Sequence, residues 1–418
     1  MIWDVTVIGG GAAGLMAATS AASRGKAVLL LEKNNKIGVK ILMSGGTRCN
    51  ITHDCGVAGI IQAFGRNGKF LHSALAALTP ADVIQRLEGE GVPTKVESTG
   101  KIFPVSDRAL DVRDALVRLA AKSGASLLAG QAVETIAFDD SGFQVTTEQE
   151  AYRSRSVIIT TGGKSYPGCG TTGDGYGWAE QFGHSIVAPY PALTPILTAC
   201  AWAHELKGIT LDPVHAKILD LANGSKKVRP LAEQTGSFLF THWGFSGPVI
   251  LDVSREVARH PQRNTLELVC DFWPELNPAQ LLELLQQRKS EDGRQAAANL
   301  CRSQFPKRFQ EAILEQCAIS PTQRIAELSK AALAAIVAQI KSARFPISGT
   351  LGFEKAEVTS GGVSLSEIDS RTMASKLVPG LYFAGEVLDL DGRIGGYNFQ
   401  SAFSTGWLAG LKVSPRAG

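Results

Sequence analysis

Several features that define protein classes are scarce in this sequence. The seven cysteines, an odd number, include no C-x-x-C pair, which argues against a disulfide framework and a structural zinc site. No apolar run approaches the roughly 18 residues that a membrane-spanning helix needs. The formal net charge is only +3, so charge alone does not indicate a nucleic-acid-binding surface. These absences favour a cytoplasmic protein with reduced cysteines.

Metal ligands and strongly basic segments are also scarce. None of the seven histidines pairs with a cysteine or carboxylate at metal-ligand spacing, so no metal is predicted. The short basic runs "KKVR" (226–229) and "KRF" (307–309) are interpreted as solvated faces rather than phosphate-binding sites. We therefore expect a small-molecule substrate, and we do not expect nucleic acid as a partner.

Glycine, by contrast, is abundant, since 44 of 418 residues are glycine, and the glycines cluster. The first cluster lies in "DVTVIGGGAAGLMAATSAASRGKAVLLLEK". This pattern predicts a strand at 5–8, a helix at 15–23 that ends near Gly25, and a buried strand at 27–31. A strand, a helix and a parallel strand in this order form a βαβ unit.

The glycines of this unit match the G-x-G-x-x-G pattern of dinucleotide-binding folds. Gly9 permits the tight turn after the strand, Gly11 lets a pyrophosphate approach the backbone, and Gly14 allows close helix–strand packing. The helix N-terminus offers free N–H groups to phosphates. Glu32 lies 18 residues after Gly14, where a carboxylate can hold ribose hydroxyl groups. These residues predict a cofactor with free ribose hydroxyls, such as FAD or NAD.

A second match to the pattern, "GCGTTG" at 168–173, is interpreted as a glycine-rich loop. Pro167 precedes it, and proline is not a residue of central strands. No acidic residue ends a second strand about 20 residues later, as the full fingerprint requires. We therefore predict one dinucleotide fold and no separate nicotinamide domain.

Two later segments favour FAD over NAD. "VIITTGG" at 157–163 reads as a strand that leads into a crossing loop. Near the C-terminus a strand at 381–384 precedes Gly385-Glu386, and a helix is predicted at 397–411. This helix would present bare N–H groups to an electron-rich ring edge. An N-terminal Rossmann unit completed by a C-terminal strand, loop and helix is typical of flavoproteins.

The chain resembles the BaiN/YhiN-type family of three-domain bacterial flavoproteins. The segments that carry the resemblance are "VIGGGAAGLMAA", "KILMSGGTRCNITH", "TTGGKSYPGCGTTGDGYGWAEQFGH", "FLFTHWGFSGPVIL", "EVTSGGVSLSEID" and "GLYFAGEVLDLDGRIGGYNFQSAFSTG". The resemblance implies an α/β fold, in which a Rossmann-like, glutathione-reductase-like FAD-binding domain is interrupted by an inserted β-barrel and a small helical domain. We expect the FAD-binding domain at 1–190 and 345–418, the barrel at 191–275 and the helical domain at 276–344.

The motifs and the resemblance together predict a set of cofactor-binding residues. They are Gly9, Gly11, Ala13, Gly14, Glu32, Lys33, Lys40, Gly45, Gly46, Thr47, Arg48, Cys49, Asn50, Val133, Thr161, Gly162, Gly385, Glu386, Gly396, Asn398 and Phe399. The resemblance places Val133 against the adenine through its backbone, although a core valine fits the pattern equally well. Cys49 is interpreted as a supporting residue of the "SGGTRCN" loop rather than a redox thiol.

Other polar residues are candidates to shape a flavin pocket, and each also has a purely structural interpretation. The candidates are Arg48, Asn50, Tyr166, Asp174, Asn398 and Gln400. Arg48 could instead brace a loop, Asp174 could cap a helix, and Tyr166 could serve packing. His242, in "THWGFSGP", is interpreted as part of a barrel turn rather than a proton donor.

The middle of the chain shows a change of pattern. Three prolines in "APYPALTPI" mark a domain crossing, and the strands "VHAKILDL", "GSFLFTHW" and "NTLELVCDF" suit a small barrel. Helices follow, with Asn277-Pro278 and Ser320-Pro321 as expected N-cap and first-turn pairs.

The favoured function is that of an FAD-dependent oxidoreductase, in which hydride passes between NAD(P)H or another donor and a small organic substrate. NAD(P)H would visit the flavin transiently. The alternatives are a flavin-dependent amine-type oxidase that uses O2, an FAD-bearing protein that binds or modifies RNA, and a redox sensor. The sequence leaves the catalytic residues, the substrate and the oligomeric state open.

Overall fold

The computed structural model describes residues 1–222 and 229–413. Residues 226–228 of the "KKVR" run lie outside them. The strands, in chain order, are β1 Ile2–Ile8, β2 Val28–Glu32, β3 Thr52–His53, β4 Thr94–Val96, β5 Lys101–Pro104, β6 Ser126–Ala129, β7 Val133–Asp139, β8 Gly142–Thr147, β9 Ala151–Ile159, β10 Ile186–Ala192, β11 Ile196–Leu197, β12 Thr210–Asp220, β13 Ala232–Phe240, β14 Gly244–Ser246, β15 Leu266–Asp271, β16 Ala343–Pro346, β17 Gly349–Thr350, β18 Val358–Val363, β19 Ile368–Asp369, β20 Ala374–Ser375 and β21 Leu381–Phe383.

The α-helices are α1 Ala12–Ala22, α2 Val39–Met43, α3 Gly56–Ala63, α4 His72–Ala77, α5 Pro80–Gly89, α6 Ala109–Lys122, α7 Asp174–Gln181, α8 Ala201–Glu205, α9 Pro248–Arg259, α10 Pro278–Glu291, α11 Lys307–Gln316, α12 Lys330–Lys341 and α13 Tyr397–Lys412. Short 3₁₀ segments include Ser44–Thr47 and Gly65–Leu71. Contacts group the chain into two compact units, the first made of Met1–Pro191 and Ala356–Gly418 and the second of Ala192–Lys355.

The first unit is built on a parallel sheet with the order β6-β2-β1-β9-β21. All five residues of β2 and the last four of β1 are buried, because strands of a parallel sheet are covered on both faces. Helix α1 follows β1, and β2 pairs in parallel with β1 from Val5–Val28 to Ile8–Leu31. The predicted Rossmann βαβ unit is therefore confirmed. Its helix begins at Ala12, three residues earlier than expected.

Helix α13 packs against α1 along small residues. A Cβ atom on Gly406 would lie 2.1 Å from the Ala13 carbonyl oxygen, and one on Gly410 would lie 2.2 Å from that of Ala17. The backbones of the two helices are therefore in direct contact, and α13 packs tightly against α1.

The segment 72–89 is divided into the two helices α4 and α5. The break occurs at Leu78, whose backbone is extended, and Thr79 then caps α5. The Thr79 hydroxyl accepts from the Asp82 N–H, and the Asp82 carboxylate accepts from the Thr79 N–H. This reciprocal capping box and the proline at the first helical position start α5 at a defined residue.

The second unit contains a seven-stranded antiparallel sheet with the order β16-β15-β12-β13-β14-β11-β17. Its two ends are joined because β16 and β17 follow one another in the chain. The Ile347 N–H donates to Leu266 at 3.1 Å, and the Ser348 N–H donates to Leu197 at 3.0 Å. The single stretch 343–350 thus pairs with both edges and closes a barrel.

Helices of the second unit share the barrel's aromatic core. Phe309 of α11 lies 4.9 Å from Phe272 and 6.0 Å from Phe240, measured between ring centroids. Strands and helices therefore bury one common cluster. The division into a barrel domain at 191–275 and a helical domain at 276–344 stays a prediction.

One of the two predicted helix starts is wrong. Asn277 caps α10 through the Gln280 N–H at 3.0 Å, as expected, but no helix begins at Ser320-Pro321. The Ala297 N–H donates to Gln323, and the Ile325 N–H donates to Gln295. Because the backbone of 323–325 pairs with a neighbouring segment, the helix begins only at Lys330, where Ser329 accepts from the Ala332 N–H.

Candidate nucleotide-cofactor site

The glycines between β1 and α1 have different surroundings. Gly14 has no space for a side chain, since a Cβ there would lie 1.9 Å from the Gly9 carbonyl oxygen. Gly9 has a φ of 103° and touches Thr160. A Cβ on Gly11 would meet no heavy atom within 4 Å. Two glycines therefore permit close packing, and the third borders open space, as a phosphate-binding loop requires.

The N-terminus of α1 is free to bind an anion. Gly11 is the N-cap residue, no side chain caps the helix, and its first turn contains no acidic residue. The first N–H groups of a helix have no partner within the helix and carry a partial positive charge. Gly11 and Ala13 therefore border the position expected for a pyrophosphate.

Glu32 organises the loop from the end of β2. Its Oε2 accepts from the Gly10 N–H at 2.7 Å, and its Oε1 accepts from the Asn34 N–H and Nδ2 at 2.8 and 2.7 Å. A carboxylate has about four acceptor positions, so Oε2 retains capacity for a ribose hydroxyl. The carboxylate both shapes the phosphate loop and offers an acceptor beside it.

Two predicted lysines form ion pairs with other candidate residues. Lys33 lies 2.6 Å from Asp174, while Lys40 lies 2.7 Å from Glu386. The Glu386 Oε1 also accepts from the Ser165 hydroxyl at 2.7 Å and from the Thr359 N–H at 2.9 Å. The fold thus brings together Lys40 and Glu386, which are 346 positions apart. Asp174 is the first residue of α7, where it holds Lys33.

The loop at 44–50 is strained. Gly45 and Gly46 have φ values of 55° and 65°, and Thr47 and Cys49 follow with 71° and 60°. Left-handed backbone costs about 1–3 kcal/mol at a residue with a side chain. Such strain persists only where surrounding contacts determine the conformation.

Arg48 and Cys49 provide two of those contacts. The Arg48 guanidinium lies 2.7 Å from Glu97 and 3.3 Å from Asp107, and it covers the Phe103 ring at 4.0 Å. The hydrogen bond to Glu97 raises the pKa of Arg48. Cys49 is fully buried, and burial raises the pKa of its thiol to about 12. Arg48 therefore braces the loop, and Cys49 is a protonated core residue.

Asn50 joins this loop to the start of α13. In the amide orientation that its neighbours require, Nδ2 donates to the Thr52 carbonyl and Oδ1 accepts from the Gly396 N–H, each at 3.0 Å. Gly396, with a φ of 89°, is the N-cap residue of α13, and no side chain caps that helix. Asn50 therefore holds the uncapped helix end in place.

The other candidates on α13 contact neighbouring residues of the protein. Asn398 accepts from the Gly392 N–H at 2.8 Å and donates to the Gly392 and Arg393 carbonyls. The Gln400 amide donates to Ser404 at 2.9 Å and to Leu78 at 3.3 Å. Phe399 is half-buried beside Phe403, 5.7 Å between centroids. Asn398 supports the preceding loop, while Gln400 joins α13 to the end of α4.

Four further candidates lie at or after the ends of strands. The Thr161 Oγ1 is buried without a hydrogen-bond partner in the described structure, and Gly162 follows with a φ of 75°. Tyr166 has a φ of 54°. Val133 starts β7, is half-buried, and pairs with Thr147. A buried, unpaired hydroxyl is uncommon, and this one packs against Gly175, where a Cβ atom would lie 2.3 Å from the Thr161 oxygen.

His242 lies in the second unit, exposed, with its ring stacked on Trp243 at 3.7 Å. Within residues 1–222 and 229–413, no cluster of three or more histidine, cysteine, aspartate or glutamate residues could hold a metal. The same residues include no helix that is long and apolar enough to cross a membrane.

Several supporting residues were not identified from the sequence. The Thr160 hydroxyl donates to the Ile8 carbonyl at 2.9 Å and to the Gly9 carbonyl at 2.8 Å. These hydrogen bonds fix the phosphate loop to β9. The rings of His53 and Tyr397 stack at 4.8 Å beside the start of α13. The spacing Gly406-x-x-x-Gly410 is a signal for close helix packing that could have been noticed in the sequence. The partners of Thr160 and His53 left no such signal.

The family comparison covers almost the whole chain. Residues 3–412 match the family model described as HI0933-like protein Rossmann domain. A ribosomal RNA dihydrouridine synthase of Haemophilus influenzae is 35% identical over 98% of both chains. The Escherichia coli protein of the same name is 33% identical over 97% of this chain and 96% of its own. A 3-dehydro-bile acid delta(4,6)-reductase of Clostridium scindens is 30% identical over 99% of both.

Solved structures share the architecture at low sequence identity. A 3-ketosteroid delta1-dehydrogenase from Sterolibacterium denitrificans aligns with a TM-score of 0.52 at 12% identity, over 99% of both chains. A 3-ketosteroid-delta4-(5alpha)-dehydrogenase from Rhodococcus jostii aligns with a TM-score of 0.50 at 16% identity, over 98% of this chain and 96% of the other. These likenesses concern the fold, which is α/β with a Rossmann-type FAD-binding domain.

Proposed function

Because this chain belongs to the HI0933-like family, whose members are flavoprotein oxidoreductases, we propose that it reduces a carbon–carbon double bond conjugated to a carbonyl group, in a uridine of ribosomal RNA. The observation that carries the proposal is the match to two named ribosomal RNA dihydrouridine synthases along nearly the full chain. The RNA-modifying alternative of the sequence analysis thereby becomes the favoured function, in place of a small-molecule substrate.

The two activities named among the relatives share one reaction type. Reduction of uridine adds hydrogen across C5=C6, which is conjugated to the C4 carbonyl. A delta(4,6)-reductase acting on a 3-oxo steroid likewise reduces double bonds conjugated to a ketone. In both cases the carbonyl makes the far carbon electrophilic, so hydride adds there and a proton adds to the neighbouring carbon. This common chemistry supports a reductase rather than an amine oxidase.

The residues of the first unit fit FAD. Gly11 borders open space at an uncapped helix N-terminus, and Glu32 has an acceptor position beside it. The uncapped end of α13 at Gly396 offers a second set of N–H groups. In our proposal α1 binds the pyrophosphate, Glu32 orients the ribose, and α13 faces the ring. When bound, FAD supplies hydride transfer.

We propose NAD(P)H as the electron donor. The chain matches the dinucleotide fingerprint in one βαβ unit only, so the donor would bind transiently at the flavin. Anaerobic titration of the purified flavoprotein with NADH and with NADPH, followed by bleaching near ~450 nm, tests this. Failure of both to bleach the flavin would require another donor.

Nucleoside mass spectrometry of ribosomal RNA tests the function itself. RNA from cells that lack the gene should contain less dihydrouridine than RNA from the same cells carrying the gene. The purified enzyme, FAD and NAD(P)H should restore the nucleoside in RNA from the deletion strain. A parallel reaction with a 3-oxo-4,6-diene steroid tests the small-molecule alternative. Unchanged dihydrouridine together with steroid reduction would overturn the RNA assignment.

A matched variant ties the product to the cofactor site. Glu32→Gln retains the size of the side chain but replaces one of the two acceptor oxygens that hold Gly10 and Asn34. We expect it to lose FAD affinity and dihydrouridine formation together. Glu233→Gln, at an exposed strand residue of the second unit, is the control and should keep both.

A further inference from the structure

We propose that Arg66, Lys69 and Arg393 form a phosphate-binding surface for the RNA substrate. The inference rests on the proposed function, and it adds the place where the RNA backbone binds. All three side chains are exposed on the first unit. We call these residues the basic surface.

The two segments that carry the basic surface, 55–81 and 389–413, contain no exposed carboxylate. The sequence contains no aspartate or glutamate between Asp54 and Asp82, and none after Asp391. The nearest acidic groups in the chain, Asp389 and Asp391, are 8% and 7% exposed. The Asp391 carboxylate accepts from the Ser360 hydroxyl at 2.9 Å. The two segments therefore present only positive charge to solvent.

Direct contacts join the two segments into one surface. The Arg393 N–H donates to the Ala63 carbonyl at 3.3 Å, and the Asn67 amide donates to the Asp389 carbonyl at 2.8 Å. Gly392 packs on the Phe64 ring, where a Cβ atom would lie 2.9 Å from the nearest ring atom. Arg393 is thus held beside the segment that carries Arg66 and Lys69.

The local helix type aligns the other cations. Arg66 and Lys69 lie within the 3₁₀ segment Gly65–Leu71, and His72 follows directly. Side chains three residues apart eclipse one another in a 3₁₀-helix, with a rise of about 6 Å per three residues. Arg66 and Lys69 therefore lie on the same side of this segment. This spacing is comparable with that of successive phosphates along one RNA strand.

These cations are available to a ligand. Within residues 1–222 and 229–413, no carboxylate lies within ion-pair distance of Arg66, Lys69 or Arg393. Other exposed cations of the same unit differ, since Arg118 and Lys122 both pair with Glu90 at 3.2 and 2.8 Å. Unpaired cations without neighbouring acids are typical of phosphate-binding surfaces.

The basic surface also adjoins the candidate cofactor site. Asn398, on the first turn of α13, hydrogen-bonds to the Gly392 and Arg393 backbone. The same turn begins at Gly396, which Asn50 holds. RNA bound at the basic surface would therefore lie next to the helix end proposed to face the flavin ring. The whole-chain charge of +3 conceals this local excess, because the remaining charges are mixed.

Salt-dependent binding of two charge-matched variants tests the inference. The first is R66Q/K69Q/R393Q; the control, R24Q/K207Q/K330Q, removes three exposed cations that form no ion pair in the described structure. The probe is fluorescein-labelled, deproteinised ribosomal RNA titrated at several KCl concentrations. The basic-surface variant should bind at least about tenfold more weakly, with a salt slope smaller by about 2–3, since each phosphate contact contributes roughly 0.7–0.9. The control should match the wild type.

The outcomes separate this inference from the proposed function. Equal binding and equal dihydrouridine formation by both variants would overturn the basic surface and leave the function intact. A wild type that forms no dihydrouridine but binds RNA through these residues would overturn only the function. Loss of binding in both variants, no binding by the wild type, or a preference for phosphatidylglycerol vesicles over RNA would each reject the surface. FAD content and the thermal midpoint check that all variants are folded.

Discussion

Two glycine-rich loops of the first unit use glycine in different ways. In the loop at 9–14, Gly11 borders open space and the N–H groups of α1 are uncapped. In the loop at 44–50, four residues have left-handed backbone conformations. Arg48, Cys49 and Asn50 of this loop each contact other parts of the protein. The first loop is open towards a ligand, while the second connects distant segments. A glycine cluster alone therefore does not distinguish a binding loop from a bracing loop.

The largest expected effect on stability concerns Gly14, which permits the close packing of α1 on β1. Alanine normally favours a helix over glycine by about 1 kcal/mol. Here its Cβ would lie 1.9 Å from the Gly9 carbonyl oxygen, so α1 would have to move away from β1. We expect Gly14→Ala to lose about 3 kcal/mol or more of unfolding free energy, measured by urea denaturation of the FAD-free protein. Normal stability would contradict the close packing.

Gly11→Ala should separate cofactor binding from folding. An alanine Cβ at this position meets no atom, and the φ of −78° suits alanine, so the FAD-free variant should unfold like the wild type. We expect FAD affinity to fall by about 10- to 100-fold, as the methyl group blocks the approach of a pyrophosphate. Isothermal titration with FAD measures this. Unchanged affinity would show that the open space is not the phosphate site.

Asn50→Ala tests the connecting role of the second loop. It would leave the Gly396 N–H and the Thr52 carbonyl without their partner, which costs about 1–3 kcal/mol. Chemical denaturation should detect this loss even in the FAD-free protein. Asn50→Asp keeps an acceptor for Gly396 and should lose less. If Asn50→Ala changed FAD binding alone, the residue would be a cofactor ligand rather than a brace.

Thr47→Gly should stabilise the protein slightly. Thr47 is exposed and has a φ of 71°, a conformation that disfavours β-branched residues. Removing the side chain relieves strain of about 1 kcal/mol or more, partly offset by the larger freedom of glycine in the unfolded chain. The thermal midpoint should rise or remain constant. A clear decrease would mean that the Thr47 side chain makes a stabilising contact.

The last effect is a pH dependence at Cys49, which is absent at neutral pH and develops only above about pH 9. Burial raises the pKa of the thiol from 9.0 to about 12. Between these values the unfolded chain releases the proton and the folded chain keeps it. The free energy of unfolding should therefore fall as pH rises above about 9, by up to ~1.4 kcal/mol per pH unit from this residue. Cys49→Ala should lack this component, and native Cys49 should resist iodoacetamide at pH 8.

Local sequence patterns predicted the elements whose formation depends on neighbouring residues. The βαβ unit followed from its glycines and apolar runs, and the start of α10 followed from Asn277 and Pro278. The same reasoning failed at Ser320-Pro321, because backbone hydrogen bonds to 295–297 replace the helix there. An N-cap signal states only that a helix could begin, and long-range pairing decides whether one does.

The sequence by itself determined the cofactor class and the Rossmann unit, since a strand, a glycine turn, a helix and a terminal acid act within about 30 residues. Only the tertiary structure decided the roles of the polar candidates. Lys40 pairs with Glu386 and Asn50 with Gly396, each across more than three hundred residues. The same holds for the basic surface, where acid-free segments at 55–81 and 392–413 become one face. The sequence determines which side chains are charged. Whether a charged side chain has an oppositely charged partner depends on which segments the fold brings together.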